Sequence, residues 1–251
     1  MLAVTRRKEI TEILMREKSV NILEISEYFK VTSQTIRRDF KILQEQGALV
    51  ITHGGAYIKE DVVNNINITL RQTMLQSGKV AIAEKCTGLI NNGDSLFLDN
   101  SSTSLTFAKQ LPNIEIKVVT NSLLVSKHVA KLKNVELVTI GGVLNKVNMC
   151  YVGKTAMDTI SGYFMDKAFI SSSTLNMKHG IVDSNEEVAA IRSMAINNAV
   201  DNYLIVDHTK FGKTSLVKVC DFNQIRGIVT DIDPGKEWRE FLEEKEIMLY
   251  F

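Results

Sequence analysis

The sequence predicts a two-domain protein: a winged helix-turn-helix head over residues 1–58, a linker over 59–76, and an α/β domain with a largely parallel sheet over 77–251. Three observations predict it. A basic amphipathic helix follows Thr32, a β-rich stretch broken by His53-Gly54-Gly55 follows that helix, and beyond Ser77 short apolar runs alternate with helical ones. In the head, Arg6 to Lys18 places Ile10, Ile13 and Leu14 at helical spacing, and Ile22 to Phe29 places Ile22, Ile25, Tyr28 and Phe29 on one side. Thr32 is a candidate N-cap for the third helix, in which Ile36, Phe40 and Leu43 form one apolar stripe at i, i+4 and i+7. Gln34, Arg38 and Lys41 project from the other face, with Arg37 beside them. Gln and Arg can hydrogen-bond base edges bidentately, and a flanking Arg can grip phosphate. A solvated helix face would carry similar charges, but it would not need two short helices before it and a wing after it. The wing is expected in Ala48 to Ile58, after Gly47 stops the helix. The candidate DNA contacts are Ser33, Gln34, Thr35, Arg37, Arg38 and Lys41, with His53 in the wing.

Two strings in this head are specific. T-I-R-R-D stands at Thr35 to Asp39 and H-G-G-A at His53 to Ala56, and at this spacing the head resembles that of the DeoR family of bacterial transcription regulators. Operator DNA is the partner that this resemblance implies.

Composition agrees with such a regulator. The chain has 251 residues and a formal net charge of +1, yet the first 59 residues carry an excess of about three positive charges, which concentrates polyanion affinity at one end. Cys86, Cys150 and Cys220 are far apart and form no C-x-x-C pair, so buried free thiols are expected rather than a metal or redox site. The four histidines show no ligand spacing, and no cofactor or metal is expected. There is no apolar run of membrane-spanning length and no signal-peptide pattern in Met1 to Lys18, so the expected location is the cytoplasm. The polar stretch from Lys59 to Ser77 has neither Pro nor Gly to define a turn and reads as a linker, part of it helical. In the family an Arg and a Lys flank this junction, and Arg71 and Lys79 match them.

Beyond the linker a helix is expected from Gly78 to Asn91. Strands are expected at Ser95–Leu98, Ile116–Thr120, Val135–Ile140, Lys167–Ile170, Tyr203–Val206 and Gly227–Thr230, and helices at Thr103–Gln110, Leu123–Leu132 and Glu186–Ala199. Strands apolar on both faces and separated by helices imply a parallel sheet covered on both sides, which binds ligands beyond its carboxyl ends. The loops there hold Asp99, Asn100, Ser101, Ser102 and Thr103; Asn121 and Ser122; Gly141 and Gly142; Ser172 and Ser173; and Asp207, Lys210 and Phe211. Hydroxyls at a helix start suit a phosphate, Lys210 adds a cation, and Asp99, Asn121 and Asp207 are candidate acceptors for sugar hydroxyls. Lys79 and Glu186 are secondary candidates. Any one of these loops could be a plain helix cap; five at one edge argue for a site.

The same loops match the rest of the DeoR pattern: D-x-x-S-T, T-N-S, G-G with the later Val152-Gly153, and D-x-x-K-F-G. That resemblance implies an effector domain related in fold to ribose-5-phosphate isomerase and the coenzyme A transferases, binding a phosphorylated sugar. One departure stands out: where many members have a D-G-I-D-like loop, this chain has Ser-Thr-Leu-Asn at Ser173 to Asn176. Aldose–ketose isomerisation, the rival enzymatic reading, needs a carboxylate base, and Ser171 to Met177 contains no acid; Glu186 and Glu187 lie at an expected helix start, where they complement the dipole. A third reading is a DNA-binding protein whose second domain only oligomerises. The expected function is a homo-oligomeric repressor, dimer or tetramer, of a carbohydrate operon, controlled by a sugar phosphate.

Overall fold

The computed structural model describes residues 1–17, 19–57 and 67–251. The chain divides into two compact units, Met1–Gln76 and Ser77–Phe251. The end of the expected wing at Ile58 and the linker residues up to 66 lie outside the described residues.

The first unit contains α1 (Ala3–Glu17), β1 (Ser19–Asn21), α2 (Ile22–Tyr28), α3 (Ser33–Glu45), β2 (Val50–Ile51), β3 (Gly55–Tyr57) and α4 (Ile68–Arg71). Three of its helices start on side-chain caps: Asn21 Oδ1 accepts from the Leu23 N–H at 2.8 Å, Thr32 Oγ1 from the Thr35 N–H at 3.3 Å, and Asn67 Oδ1 from the Thr69 N–H at 2.9 Å. The apolar stripe of α3 is buried as its spacing predicts, with Ile36, Phe40 and Leu43 packed on Ile10 and Leu14 of α1 and Ile22 and Ile25 of α2. Burial of each such side chain contributes about 1.5–3 kcal/mol. Gly47, at φ 74°, ends α3, and the Ala48 N–H closes back on the Leu43 carbonyl at 2.8 Å.

The wing is larger than the two strands expected. It is a three-stranded antiparallel sheet in the order β1-β3-β2, and β1, only three residues long, is too short for alternation to reveal it in the sequence. The second glycine of H-G-G-A has a steric cause: a Cβ on Gly55 would lie 2.0 Å from the Val20 carbonyl oxygen of β1, whereas one on Gly54 would meet nothing within 4 Å. Residues 67–76, read from the sequence as linker, belong to the first unit. Ile68 is buried, Leu70 packs against the head core, and the Asn67 N–H donates to the Gln46 carbonyl at 3.4 Å. Two apolar residues in one helical turn are too weak a pattern to stand out from a polar stretch.

The second unit runs α5 (Gln76–Thr87), β4 (Ser95–Leu98), α6 (Ser102–Ala108), β5 (Ile116–Thr120), α7 (Leu123–Val129), β6 (Val135–Thr139), β7 (Val143–Asn145), β8 (Cys150–Val152), α8 (Lys154–Ile160) and β9 (Met165–Ile170). It continues with β10 (Thr174–Asn176), β11 (Gly180–Asp183), α9 (Glu186–Asn197), β12 (Ala199–Ile205), β13 (Val217–Cys220), β14 (Gly227–Val229), α10 (Lys236–Glu244) and β15 (Met248–Tyr250). Seven strands form one parallel sheet in the order β15-β14-β12-β9-β4-β5-β6. Both its faces are covered: Phe97, Ala168, Leu204 and Ile228 point into one core, and Leu96, Leu98, Phe169, Ile205 and Val229 into the other. Alternate residues of each strand therefore serve opposite cores, which is why the strands are apolar throughout. The chain builds outward from β4 through β5 to β6, then returns to the other side of β4 with β9, β12, β14 and β15. The reversal between β4 and β9 is the switch point at which such sheets open a crevice. The hairpin β7–β8 and the small sheet β10-β11-β13, absent from the sequence reading, are added beside that edge by strands of three and four residues.

Gly55→Ala should cost about 1–3 kcal/mol by forcing β3 away from β1, while Gly54→Ala, at an open turn, should stay within about 0.5 kcal/mol. Urea unfolding followed by circular dichroism measures both; equal effects would show that the close approach to Val20 does not explain the second glycine.

Candidate DNA interface and effector site

On the first unit, Gln34, Arg37, Arg38 and Lys41 are exposed on the outer side of α3, with Ser33 and Thr35 half-buried at its start. With Arg6 and Arg7 of α1 most of them line a concave, basic groove of about 640 Å³. His53 is exposed in the turn between β2 and β3. The acid of T-I-R-R-D has a different job. Asp39 is buried and accepts from Arg6 Nε at 2.6 Å and Arg7 Nη1 at 3.1 Å, tying α3 to α1. The sequence reading gave Asp39 no role, although its place beside Phe40 and three residues after Ile36, on the buried stripe, is the signal of an inward-facing partnered charge.

In the second unit, strand order brings the predicted loops together. Reading along the sheet edge, the Asp207–Phe211 loop follows β12, Ser171–Ser173 follows β9, residues 99–103 follow β4, Asn121–Ser122 follows β5, and Gly141–Gly142 follows β6. These five strands are consecutive neighbours. At the switch point sits a buried ion cluster. Arg192 of α9 donates from Nε and Nη2 to Asp99 Oδ2 at 2.9 and 2.8 Å, and from Nη1 to Asp183 at the end of β11. Asp99 also accepts from the Ser101 N–H at 3.0 Å, the Ser171 N–H at 3.0 Å and the Ser104 hydroxyl. Burial by itself would push the Asp99 carboxyl up, but Arg192 and these hydrogen bonds together hold it below the ordinary carboxylate range.

Several predicted roles change as a result. Asp99, expected to accept from sugar hydroxyls, is 0 % exposed with both oxygens occupied, so it holds the loops instead. Ser101 and Ser122 are committed as N-caps of α6 and α7, accepting from the Ser104 N–H at 2.9 Å and the Val125 N–H at 3.2 Å. The Ser173 hydroxyl donates to Asp183 at 3.0 Å, and that of Ser172 to the Thr174 carbonyl at 3.3 Å. Ser102 and Thr103 are buried in the first turn of α6. Gly141 and Gly142 are exposed and turn the chain into β7, with Gly142 too close to the Val152 carbonyl to carry a Cβ. Glu186 is exposed in the first turn of α9, where it complements the helix dipole.

Other residues named from the sequence gather around Asp207. Asp207 is buried; burial raises its carboxyl, yet Lys210, the Thr209 hydroxyl and N–H, and Lys79 outweigh that and lower it. Lys79, itself buried, thus shares the neighbourhood of Asp207 with Lys210. Its helix can approach because Gly78 lies against Asp231, where a Cβ would come within 2.4 Å of a carboxylate oxygen. Phe211 stacks edge-on against Trp238, with ring centroids 5.0 Å apart, and bridges to Leu175 of β10. Within the loops, Asn100 Oδ1, Asn121 Oδ1 and Thr174 Oγ1 are buried and have no hydrogen-bond partner among the described residues. Asp183 and Arg192 escaped the sequence reading, which named Thr174 only as part of a loop. Arg192 alone had a visible signal, a single charge inside the apolar run from Val188 to Ile196. All three cysteines are buried outside disulfides, with Cys220 pushed up to about 12 by burial and Asp221.

A family model for the DeoR C-terminal sensor domain matches residues 75–232, and one for the DeoR-like helix-turn-helix domain matches residues 6–62. The chain belongs to the DeoR family. It is a DNA-binding transcriptional regulator, and the two matched segments correspond to the two units of the structure. Similar DeoR-type proteins include the L-fucose operon activator of Escherichia coli, 29 % identical with 92 % of this chain and 96 % of that one covered. The lactose phosphotransferase system repressor of Staphylococcus aureus is 28 % identical, with 91 % and 92 % covered. Among solved structures, ribose 5-phosphate isomerase from Methanocaldococcus jannaschii aligns with a TM-score of 0.41, at 16 % identity over 54 % of each chain. No helix among the described residues is long and apolar enough to cross a membrane.

Two predictions follow from this geometry. Arg38→Ala should cost about 1–3 kcal/mol on the operator and relax base preference, whereas Arg37→Ala should weaken all duplexes alike and flatten the salt dependence. Binding to operator and random DNA at two salt concentrations separates them, and unchanged affinity in both variants would take α3 out of the groove. In the ion cluster, the depressed Asp99 carboxyl contributes stability that is full above the unfolded value of about 3.9 and is lost as pH falls through its lower folded value. Asp99→Asn should therefore lose about 3–5 kcal/mol at neutral pH and show a flatter acid limb than wild type. Parallel stability curves between pH 7 and 3 would contradict this account.

Proposed function

We propose that this DeoR-family regulator represses a carbohydrate operon and that a phosphorylated sugar, bound at the carboxyl edge of the parallel sheet, releases it from operator DNA. The observation that carries the reading is the gathering of loops from five neighbouring strands, with Lys79 and Lys210 around Asp207 to meet an anion and buried acceptors on Asn100 and Asn121 to meet hydroxyls. Ser102 and Thr103, at the start of α6, supply hydroxyls and helix N–H groups for the phosphate. One relative is an L-fucose operon activator and another a lactose phosphotransferase system repressor, and the sense of regulation proposed here follows the second. The protein acts in the cytoplasm as a homo-oligomer, a dimer or tetramer, because one small head makes too few phosphate contacts for tight binding at cellular salt.

The isomerase reading is disfavoured by the carboxylates themselves. A general base for proton transfer at carbon works best with a pKa near the working pH, but Asp99 and Asp207 are held low and Glu186 and Glu187 are exposed at a helix start. A purely oligomerising second domain would have no use for buried unpartnered acceptors.

A sugar phosphate should raise the melting temperature of the purified protein while its unphosphorylated counterpart does little, and Ser102→Ala or Lys210→Ala should remove the shift without abolishing ligand-free operator binding. Saturating ligand should change operator affinity about 5- to 150-fold, and operator should change ligand affinity by the same factor. Free sugars matching their phosphates would overturn the phosphate site. Equal operator affinity with and without ligand would remove the regulation, and turnover of the ligand would restore the enzyme reading.

A further inference from the structure

Thr174 is the first residue of β10, in the loop where this chain has Ser-Thr-Leu-Asn in place of a D-G-I-D-like sequence. Its backbone is fixed by antiparallel pairing with Val182, and Leu175 beside it bridges to Phe211, so Thr174 lies between the β9 loop and the Lys210 loop. The residue is 5 % exposed, and its hydroxyl has no partner among the described residues. A buried hydroxyl without a partner is a net cost to folding, which a ligand can recover.

The surroundings define what that ligand presents. The neighbouring acids are already spent: Asp99 and Asp183 on Arg192, with the Ser173 hydroxyl also donating to Asp183. On the two strands beyond, Asn100 and Asn121 leave their Oδ1 atoms unpartnered, and the Asn121 orientation is fixed by its amide donating to the Tyr151 carbonyl at 3.1 Å. Amide oxygens only accept. Two unpartnered amide oxygens, after β4 and β5, and an unpartnered hydroxyl that can donate or accept, beside the loop after β9, match the donating and accepting hydroxyl groups of a sugar.

Resting on the sugar-phosphate reading above, we propose that Thr174 is a specificity-determining residue of the effector site, reading a hydroxyl on the uncharged end of the ligand together with Asn100 and Asn121. This loop recognises the sugar through neutral hydrogen bonds, where an acidic loop would use charge.

The test uses the full-length protein, wild type, Thr174→Val and Thr174→Ser, with inorganic phosphate, ribose 5-phosphate, fructose 6-phosphate and glucose 6-phosphate as probes. Valine keeps the near shape and the β-branch of threonine and exchanges its hydroxyl for a methyl group. Because that hydroxyl is unpartnered in the free protein, the ligand-free melting temperature of Thr174→Val should be unchanged or higher. Its affinity for the sugar phosphate that binds wild type best should fall about 10-fold, with inorganic phosphate unaffected and Thr174→Ser restoring most of the loss. Equal sugar-phosphate affinity in wild type and Thr174→Val, or an equal loss for inorganic phosphate, overturns the inference, as does a lower ligand-free melting temperature. If no sugar phosphate stabilises wild type, the effector reading itself fails and this inference fails with it.

Discussion

Burying an arginine between two aspartates removes three charges from water, at several kcal/mol each, and the arrangement survives because each carboxylate oxygen and each guanidinium nitrogen finds a partner. In the second unit Arg192 is that centre. Through Asp99 it reaches the loop after β4 and, by the Ser171 N–H, the loop after β9; through Asp183 it reaches β11, and the Ser173 hydroxyl joins the β9 loop to the same acid. The cluster therefore closes the switch point of the sheet, the one place where adjacent strands diverge in chain order and their loops would otherwise part. Its value is positional more than energetic, since a hydrophobic replacement of similar volume could be as stable but could not fix polar loops at hydrogen-bonding distance.

The head solves a smaller version of the same problem. A recognition helix must present Arg37, Arg38 and Lys41 outward in one fixed orientation, and the inner side of α3 is locked both by its apolar stripe and by Asp39 gripping Arg6 and Arg7. Three successive residues of one motif thus have separate tasks: two arginines stay exposed, and the aspartate turns in. A helix held this firmly on its inner side pays less conformational entropy when its outer side binds a partner.

The two halves of the carboxyl edge also differ in chemistry. Cations gather around Asp207, where Lys210 and the buried Lys79 meet, while the loops after β9, β4 and β5 offer neutral oxygens. An anionic group and a polyhydroxylated group on one small ligand match that division. Any regulation built on such a site must come from a difference in affinity between DNA-competent and incompetent states, since tight binding alone shifts nothing.

The helices of the head, the outward side of α3 and the main strands of the sheet were legible in the sequence, because each rests on local rules: caps, a 3.6-residue stripe, and buried runs of strand length. The edge loops were legible too, because parallel strands put them all at one end. What the sequence could not determine was which of their polar groups face a ligand and which face each other. Asp99 looked like a ligand contact and is a strut; Thr174 looked like loop and has an unmet hydroxyl; Ile68 looked like linker and is core. The partners that decide these cases are Arg192, 93 residues from Asp99, and strands of two to four residues whose pairing leaves no periodic trace. Local sequence fixes which atoms can hydrogen-bond. Only the tertiary fold, by bringing distant chains within 3 Å, decides which of them are already satisfied.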